Sequence, residues 1–309
     1  MKASIYRQFG QPEVLETAEV PEPRPRRGEV RVRVHASALN PKDVLVRKGS
    51  MTWLTGKRMP RIPGYDFAGE LLDDAGDLLA GTEVWGMVNS HAGGTCAEIV
   101  AVPTDELSRK PESLEMVEAA SVPLAGLTAL QALRDELQVE AGDRVLFNGA
   151  SGGVGTLAVQ LGAAMGVEVV GVCSARNREL VEELGAREVV DYNEQDPRDL
   201  RGFDHIFDIY GNIAWGAGKA MLVPGGRFCS TLPKPGVVAR AALGKIGLHR
   251  MRFVVVRSRQ ADLDYLAVLA ASGRLRAVVD RVLPLDEAVE AHRYVETRRA
   301  RGKVVLQID

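Results

Sequence analysis

The sequence predicts an α/β chain: a doubly wound parallel sheet set behind a β-rich first third, followed by a mixed C-terminal stretch. Three observations predict it. Short strands with Gly and Pro punctuation fill the region before residue 115. Beyond that point strands alternate with helices of crossover length, the pattern that builds parallel sheets with right-handed connections. A glycine-rich turn, Asn148-Gly149-Ala150-Ser151-Gly152-Gly153-Val154-Gly155, leaves the first of these strands and opens the first of these helices.

In the first third, Val30, Val32 and Val34 alternate with Arg31, Arg33 and His35, the period of a strand with one wet face. Pro21, Pro23 and Pro25 forbid regular pairing just before it. Leu39-Asn40-Pro41-Lys42-Asp43 reads as a turn into a short helix, with Asp43 in the first turn. Tyr65 to Glu70, Glu83 to Gly86 and Cys96 to Val102 are further strands, which suggests a partly open barrel or sandwich. Leu114 to Leu137 is Ala/Leu-rich and helical, interrupted at Pro123. Strands are expected at 144–147, 167–173, 189–190, 205–209, 226–230 and 252–256. Helices are expected at 152–165, 177–184 and 213–222. Segment 231–252 is broken by Pro233, Pro235, Gly236, Gly244 and Gly247 and reads as a basic loop. After residue 260 come a helix at 262–271, a strand at 278–283, a helix at 286–298 and a strand at 304–308. These last elements have the character of the first third and are expected to rejoin it.

Composition narrows the function. The chain has 309 residues, 46% of them hydrophobic and 26% charged, so it holds ample apolar surface for a folded core. At about 100–200 residues per domain, two domains are expected. With 39 Lys and Arg against 41 Asp and Glu, the balance argues against a nucleic-acid partner. No apolar run approaches the roughly 18–20 residues of a membrane span, and the N-terminus lacks the apolar stretch of a signal peptide. The three cysteines, Cys96, Cys173 and Cys229, are too few and too scattered for a disulfide framework or a four-thiolate zinc site. A reducing, cytoplasmic compartment is the simplest expectation.

The glycine-rich turn carries the chemistry. In G-x-G-x-x-G terms Ala150, Gly152 and Gly155 hold the three special positions. Gly152 lets the backbone approach a pyrophosphate, and Gly155 lets the helix pack on the sheet. The first-turn N–H groups and the helix dipole favour the anion. The next strand, ending at Cys173, runs into Ser174-Ala175-Arg176-Asn177 with no carboxylate for a ribose 2′-hydroxyl. Arg176 and Ser174 suit a 2′-phosphate instead, so NADPH is the expected cofactor. An S-adenosylmethionine site would want the acidic residue that is missing here.

With these residues in hand, the chain resembles a zinc-free medium-chain dehydrogenase/reductase of the quinone oxidoreductase (zeta-crystallin-like) branch. Its markers run through the chain: Asn40-Pro41-Lys42-Asp43, Ile62-Pro63-Gly64-Tyr65-Asp66-Phe67-Ala68-Gly69, Gly93-Gly94-Thr95-Cys96-Ala97-Glu98 and Gly126-Leu127-Thr128-Ala129. The glycine-rich turn, Gly185-Ala186 with Asp191-Tyr192, and Gly302-Lys303-Val304-Val305-Leu306 complete the series. The resemblance implies a GroES-like β-rich catalytic domain from residues 1–117 and 266–309. A Rossmann-like NADP-binding domain, 118–265, is inserted between the two parts, with the active site in the cleft. It also implies a homodimer, paired through an apolar run, Phe253 to Val256, at the sheet edge.

Zinc relatives need a thiolate where Asn40 stands and a His-Glu pair where Tyr65-Asp66 stands, so no metal is expected. Without a Lewis acid, hydride delivery to a quinone or an α,β-unsaturated carbonyl is the favoured reaction. The alternatives are a zinc-free alcohol dehydrogenase or enoyl reductase, or a non-catalytic NADPH-binding protein. Catalytic candidates are Asn40, whose amide could reach ribose, nicotinamide or substrate oxygen, Tyr65 as a hydroxyl donor, and Thr128, which the resemblance puts at the nicotinamide ribose. Cofactor contacts are expected from Asn40, Thr128, Ala150, Ser151, Gly152, Gly153, Val154, Gly155, Ser174 and Arg176, with Tyr192 and Lys303 added by the resemblance. Many relatives carry a tyrosine two residues after Asp43; Leu45 stands there, so a tyrosine proton donor at that position is excluded.

Overall fold

A computed structural model describes residues 1–232, 235–245, 247 and 249–308. Pro233, one of the breakers of segment 231–252, lies outside the described residues. The chain begins with β1 (Lys2–Tyr6), β2 (Leu15–Glu19), β3 (Glu29–Leu39), α1 (Pro41–Arg47), α2 (Thr52–Thr55), β4 (Asp66–Leu71), β5 (Glu83–Met87), β6 (Ile99–Pro103) and β7 (Leu107–Arg109). Next come α3 (Met116–Ala120), α4 (Pro123–Gln131), β8 (Arg144–Asn148), α5 (Gly153–Ala164), β9 (Glu168–Cys173), α6 (Arg178–Glu183), β10 (Glu188–Asp191) and β11 (Phe203–Asp208). Then follow α7 (Trp215–Met221), β12 (Leu222–Ser230), α8 (Pro235–Lys245), β13 (Met251–Phe253), α9 (Gln260–Ala271), β14 (Val279–Pro284), α10 (Ala288–Glu296) and β15 (Lys303–Gln307). The chain divides into two compact units, Met1–Leu124 with Arg257–Asp309, and Ala125–Val256.

The first unit is built around β3. Val30, Val32 and Val34 are buried and Arg33 is exposed, as alternation requires. From Ala36 to Leu39 the burial is continuous. Its first half pairs antiparallel with β6 and β4, and its second half pairs antiparallel with β15, setting Val305 against Ala38. The seven-stranded sheet runs β14-β15-β3-β4-β5-β7, with β6 on β3. The C-terminal elements thus rejoin the first third, as the sequence led us to expect. A separate two-stranded sheet, β1 with β2, had no clear sequence signal; its β2 face is mostly polar.

The second unit is a six-stranded, all-parallel sheet in the order β10-β9-β8-β11-β12-β13. The strand order reverses between β8 and β11, the switch point where open α/β sheets bind ligands at their carboxyl ends. Leu146, Val170, Ile206, Met221 and Phe228 form its core. Phe228 meets Trp215 edge-on at 6.2 Å between ring centres. Segment 231–252 is not an irregular loop throughout: α8 spans Pro235–Lys245 within it. The strand expected over 252–256 is only β13, Met251–Phe253, and Val255 lies beyond it, 63% exposed.

Candidate functional site

Two groups of residues carry the chemistry, one in each unit. In the second unit, the glycine-rich turn follows β8 and α5 starts from Gly152 with no side chain capping its first turn. A Cβ on Gly155 would collide with the carbonyl of Gly149 and with the backbone of Ala150, so only glycine lets the helix begin this close to the strand. Gly152 is different. A Cβ there would meet only Gly149 O, at 3.6 Å, which leaves the approach to the turn open. Uncapped N–H groups at a helix start beside an open backbone fit a dinucleotide pyrophosphate.

The ends of β8, β9 and β10 bring the other expected contacts together. Ala150 is fully buried, and its N–H and that of Gly149 donate to Val172 O. Arg176 is exposed on the short turn after Ser174. Tyr192 is 55% exposed, and its N–H donates to Cys173 O. Two residues missed by sequence reasoning tie these parts together. Asn177 is buried, and its Nδ2 donates to Ser151 Oγ at 3.0 Å and to Ser174 Oγ at 3.5 Å. Asp191 accepts from the N–H of Ala175 at 3.0 Å and from Asn193 N and Nδ2. Those bonds, the Asn193 N–H first, hold its carboxyl below the usual range. Its charge is spent on the turn's own backbone.

In the first unit, a buried polar knot surrounds Asn40. Asn40 caps α1 in a capping box: Asp43 Oδ2 accepts its N–H at 2.8 Å. Asp43 Oδ1 accepts the N–H of Gly64 at 2.7 Å. Gly64 has φ +95°, and a Cβ there would strike Thr95 and Cys96, so glycine is required to present this N–H. Burial pushes the Asp43 carboxyl up to about 6 against the opposing pull of these two N–H groups.

The amide of Asn40 is fully engaged. Nδ2 donates to Asp66 Oδ2 at 2.8 Å and to Ala38 O at 3.2 Å, and Oδ1 accepts from Lys303 Nζ at 2.6 Å. Lys303 also pairs with Asp66 Oδ2 at 3.0 Å, and both side chains are buried. The other oxygen of Asp66 accepts the N–H of Leu124 at 2.6 Å, in the first turn of α4, where the helix dipole favours a carboxylate. Lys303 is therefore placed in the knot, with two donor bonds already made. Thr128 lies buried on α4.

Tyr65 is buried, and its hydroxyl donates to His91 O at 3.0 Å. Burial, chiefly, raises its pKa. Lys42 Nζ sits 3.6 Å from the centre of the Tyr65 ring, a contact that the sequence did not flag. Cys96 is buried against Ser37, 3.6 Å away, and desolvation raises its thiol pKa. Among the described residues no group of three or more His, Cys, Asp or Glu is placed to hold a metal ion. The amide and phenol at positions 40 and 65, both committed to protein partners, do not make a zinc donor set.

Comparison with known proteins gives the family. Residues 26–112 match the family model described as alcohol dehydrogenase GroES-like domain. Residues 184–306 match the one described as zinc-binding dehydrogenase. A chloroplast envelope quinone oxidoreductase homolog of Arabidopsis thaliana is 31% identical, over 95% of this chain and 94% of its own length. A mitochondrial NAD(P)H oxidoreductase of Mus musculus is 35% identical, over 91% of this chain and 82% of its own. The solved quinone oxidoreductase from Coxiella burnetii superposes with a TM-score of 0.92 at 33% identity, covering 100% of this chain and 99% of that one.

Proposed function

Because this chain belongs to the medium-chain dehydrogenase/reductase family, in its zinc-free quinone oxidoreductase branch, we propose that it reduces a quinone or an α,β-unsaturated carbonyl compound with NADPH. That it is an oxidoreductase follows from the family. The preference for NADPH rests on Ser174 and the exposed Arg176, with no carboxylate at the end of β9. The choice of a conjugated acceptor rests on one observation above all. Where an alcohol dehydrogenase would polarise its substrate with a metal, this chain has a knot of Asn40, Asp66 and Lys303 closed on itself.

Bound NADPH supplies the hydride. The chain's own residues bind, orient and exclude water. The uncapped start of α5 takes the pyrophosphate, and Ser151 is held toward the same end of the sheet by Asn177. Ser174 and Arg176 take the 2′-phosphate. The Asn40 knot fixes the loop around Gly64 and the start of α4, so that donors near Tyr65 keep their positions.

The test is an initial-rate screen of NADPH and NADH with quinones, 2-alkenals and enones. The reading expects turnover of at least one conjugated acceptor, faster with NADPH. Oxidation of simple alcohols with no activity on conjugated acceptors would reject it.

A further inference from the structure

We propose that Lys42 is a catalytic residue whose ammonium stabilises, and then protonates, the oxygen of the reduced acceptor. The inference rests on the reading of the reaction given above and names the group that completes it. Asn40 has both amide hydrogens and its carbonyl oxygen engaged. The Tyr65 hydroxyl is spent on His91 O. Lys303 is locked to Asp66 and Asn40. None of these can turn toward a new oxyanion without breaking a buried bond, which costs about 1–3 kcal/mol for each group left unpaired.

Lys42 differs from all three. It is half-buried at the start of α1, and it forms no ion pair among the described residues. The two carboxylates that face it, Asp43 and Asp66, are occupied by backbone N–H groups and by Lys303 and Asn40. Its ammonium instead rests over the Tyr65 ring, where the π face holds the charge without consuming an N–H donor. Burial lowers its pKa, with Asp43 and Asp66 opposing the shift, so its proton is easier to give up than an ordinary lysine's. A fixed cation with free donors, partly withdrawn from water, is what an oxyanion forming nearby requires.

The step balances. Hydride adds to the β-carbon of an enone, forming a C–H bond. The C=C π pair shifts into the bond between the α-carbon and the carbonyl carbon, the C=O π pair moves to the oxygen, and NADPH is oxidised to NADP+. A Lys42 N–H first hydrogen-bonds that oxygen and then transfers its proton, so an O–H bond forms and an N–H bond breaks. Once the oxygen is protonated, the enol tautomerises in solvent, which protonates the α-carbon and takes back the O–H proton. The neutral Lys42 amine takes a proton back from solvent. For a quinone the same proton completes one hydroxyl of the quinol.

The experiment compares the wild type with Lys42→Met and Lys42→Arg. Turnover, NADPH affinity by fluorescence titration, and affinity for 4-nitrophenolate in the presence of NADP+ are measured, the last by its visible absorbance. The phenolate mimics the charged oxygen and needs no turnover. Lys42→Met is expected to lower kcat by about a hundredfold or more, weaken phenolate at least tenfold and leave NADPH affinity unchanged. The fall of kcat at alkaline pH should vanish in Lys42→Met and move to higher pH in Lys42→Arg, which should also recover part of kcat. Phenolate affinity equal in wild type and Lys42→Met overturns the proposal, as does a loss of kcat that comes with lost NADPH affinity. If no acceptor is turned over but the phenolate difference stands, the acceptor reading fails and the Lys42 site does not.

Discussion

At the scale of single residues, chemistry was legible where the partner is local and hidden where it is distant. Asn40 and Asp43 stand close in sequence, so a helix start was readable from the chain, although the reciprocal capping box was not spelled out. The bonds that tie the Asn40 amide to Asp66 and Lys303 join the start of α1 to β4 and β15, and no spacing announces them. Lys42 was passed over because a lysine in a first turn ordinarily faces water; only the fold sets it on the Tyr65 ring. For Arg176 the prediction is direct. Arg176→Ala should weaken NADPH much more than NADH, by about 1.5–3 kcal/mol, and titration of both cofactors checks it. A second prediction concerns His292. It is fully buried, and both ring nitrogens lack hydrogen-bond partners among the described residues. Burial and then the neighbouring Arg47 push its pKa down to about 3. The unfolded chain binds this proton near pH 6.5 and the folded chain does not, so stability is present above that pH. It falls as pH drops from about 6.5 toward 3, by on the order of a few kcal/mol. His292→Leu should flatten this loss relative to wild type, read as the difference in Tm between pH 7 and pH 4.5. An unchanged difference would mean that His292 does not titrate this way.

At the scale of elements, periodicity identified most strands and helices, and failures fell where local signals conflict. Glycine and proline in segment 231–252 read as a loop, yet α8 forms there. Pro235 suits the first position of a helix, and Gly244 packs against Met251 and Arg252 of β13 where any Cβ would collide. Tertiary packing overrides the weak helix propensity of such a segment. The apolar run Phe253 to Val256 promised a longer strand, but pairing with β12 ends at Phe253. The glycine-rich turn was read correctly as a unit, and its two inner glycines now separate. Gly152→Val should leave a folded protein with NADPH binding abolished, because the added atoms fill open space on the ligand side. Gly155→Val should lower Tm as well, because its side chain must displace backbone. Thermal melts with and without NADPH distinguish the two, and equal melting losses in both variants would contradict the assignment.

At the scale of the whole molecule, the return of the C-terminal strands to the first sheet was visible as a change of pattern, since β14, α10 and β15 have clear periods of their own. Their partner was not visible, because the pairing of β15 with β3 spans nearly the whole chain. Assembly belongs to this scale too. Among the described residues β13 is the last strand of its sheet and pairs with β12, with Val255 exposed just beyond it. An open edge beside an exposed apolar residue is expected to pair with a second copy of itself. Light scattering at micromolar concentration should give about twice the chain mass of 33.4 kDa, and Val255→Lys should shift it toward one chain while NADPH still binds. A wild-type mass of one chain would reject the dimer. The central claim is the direction of the hydride, from NADPH into a conjugated system and not onto a carbonyl carbon. NADPH deuterated at the transferred position, incubated with the protein and a 2-alkenal, tests it by NMR of the product. The account predicts one deuterium at the β-carbon of a saturated aldehyde, whereas deuterium at the carbonyl carbon of an allylic alcohol would contradict it.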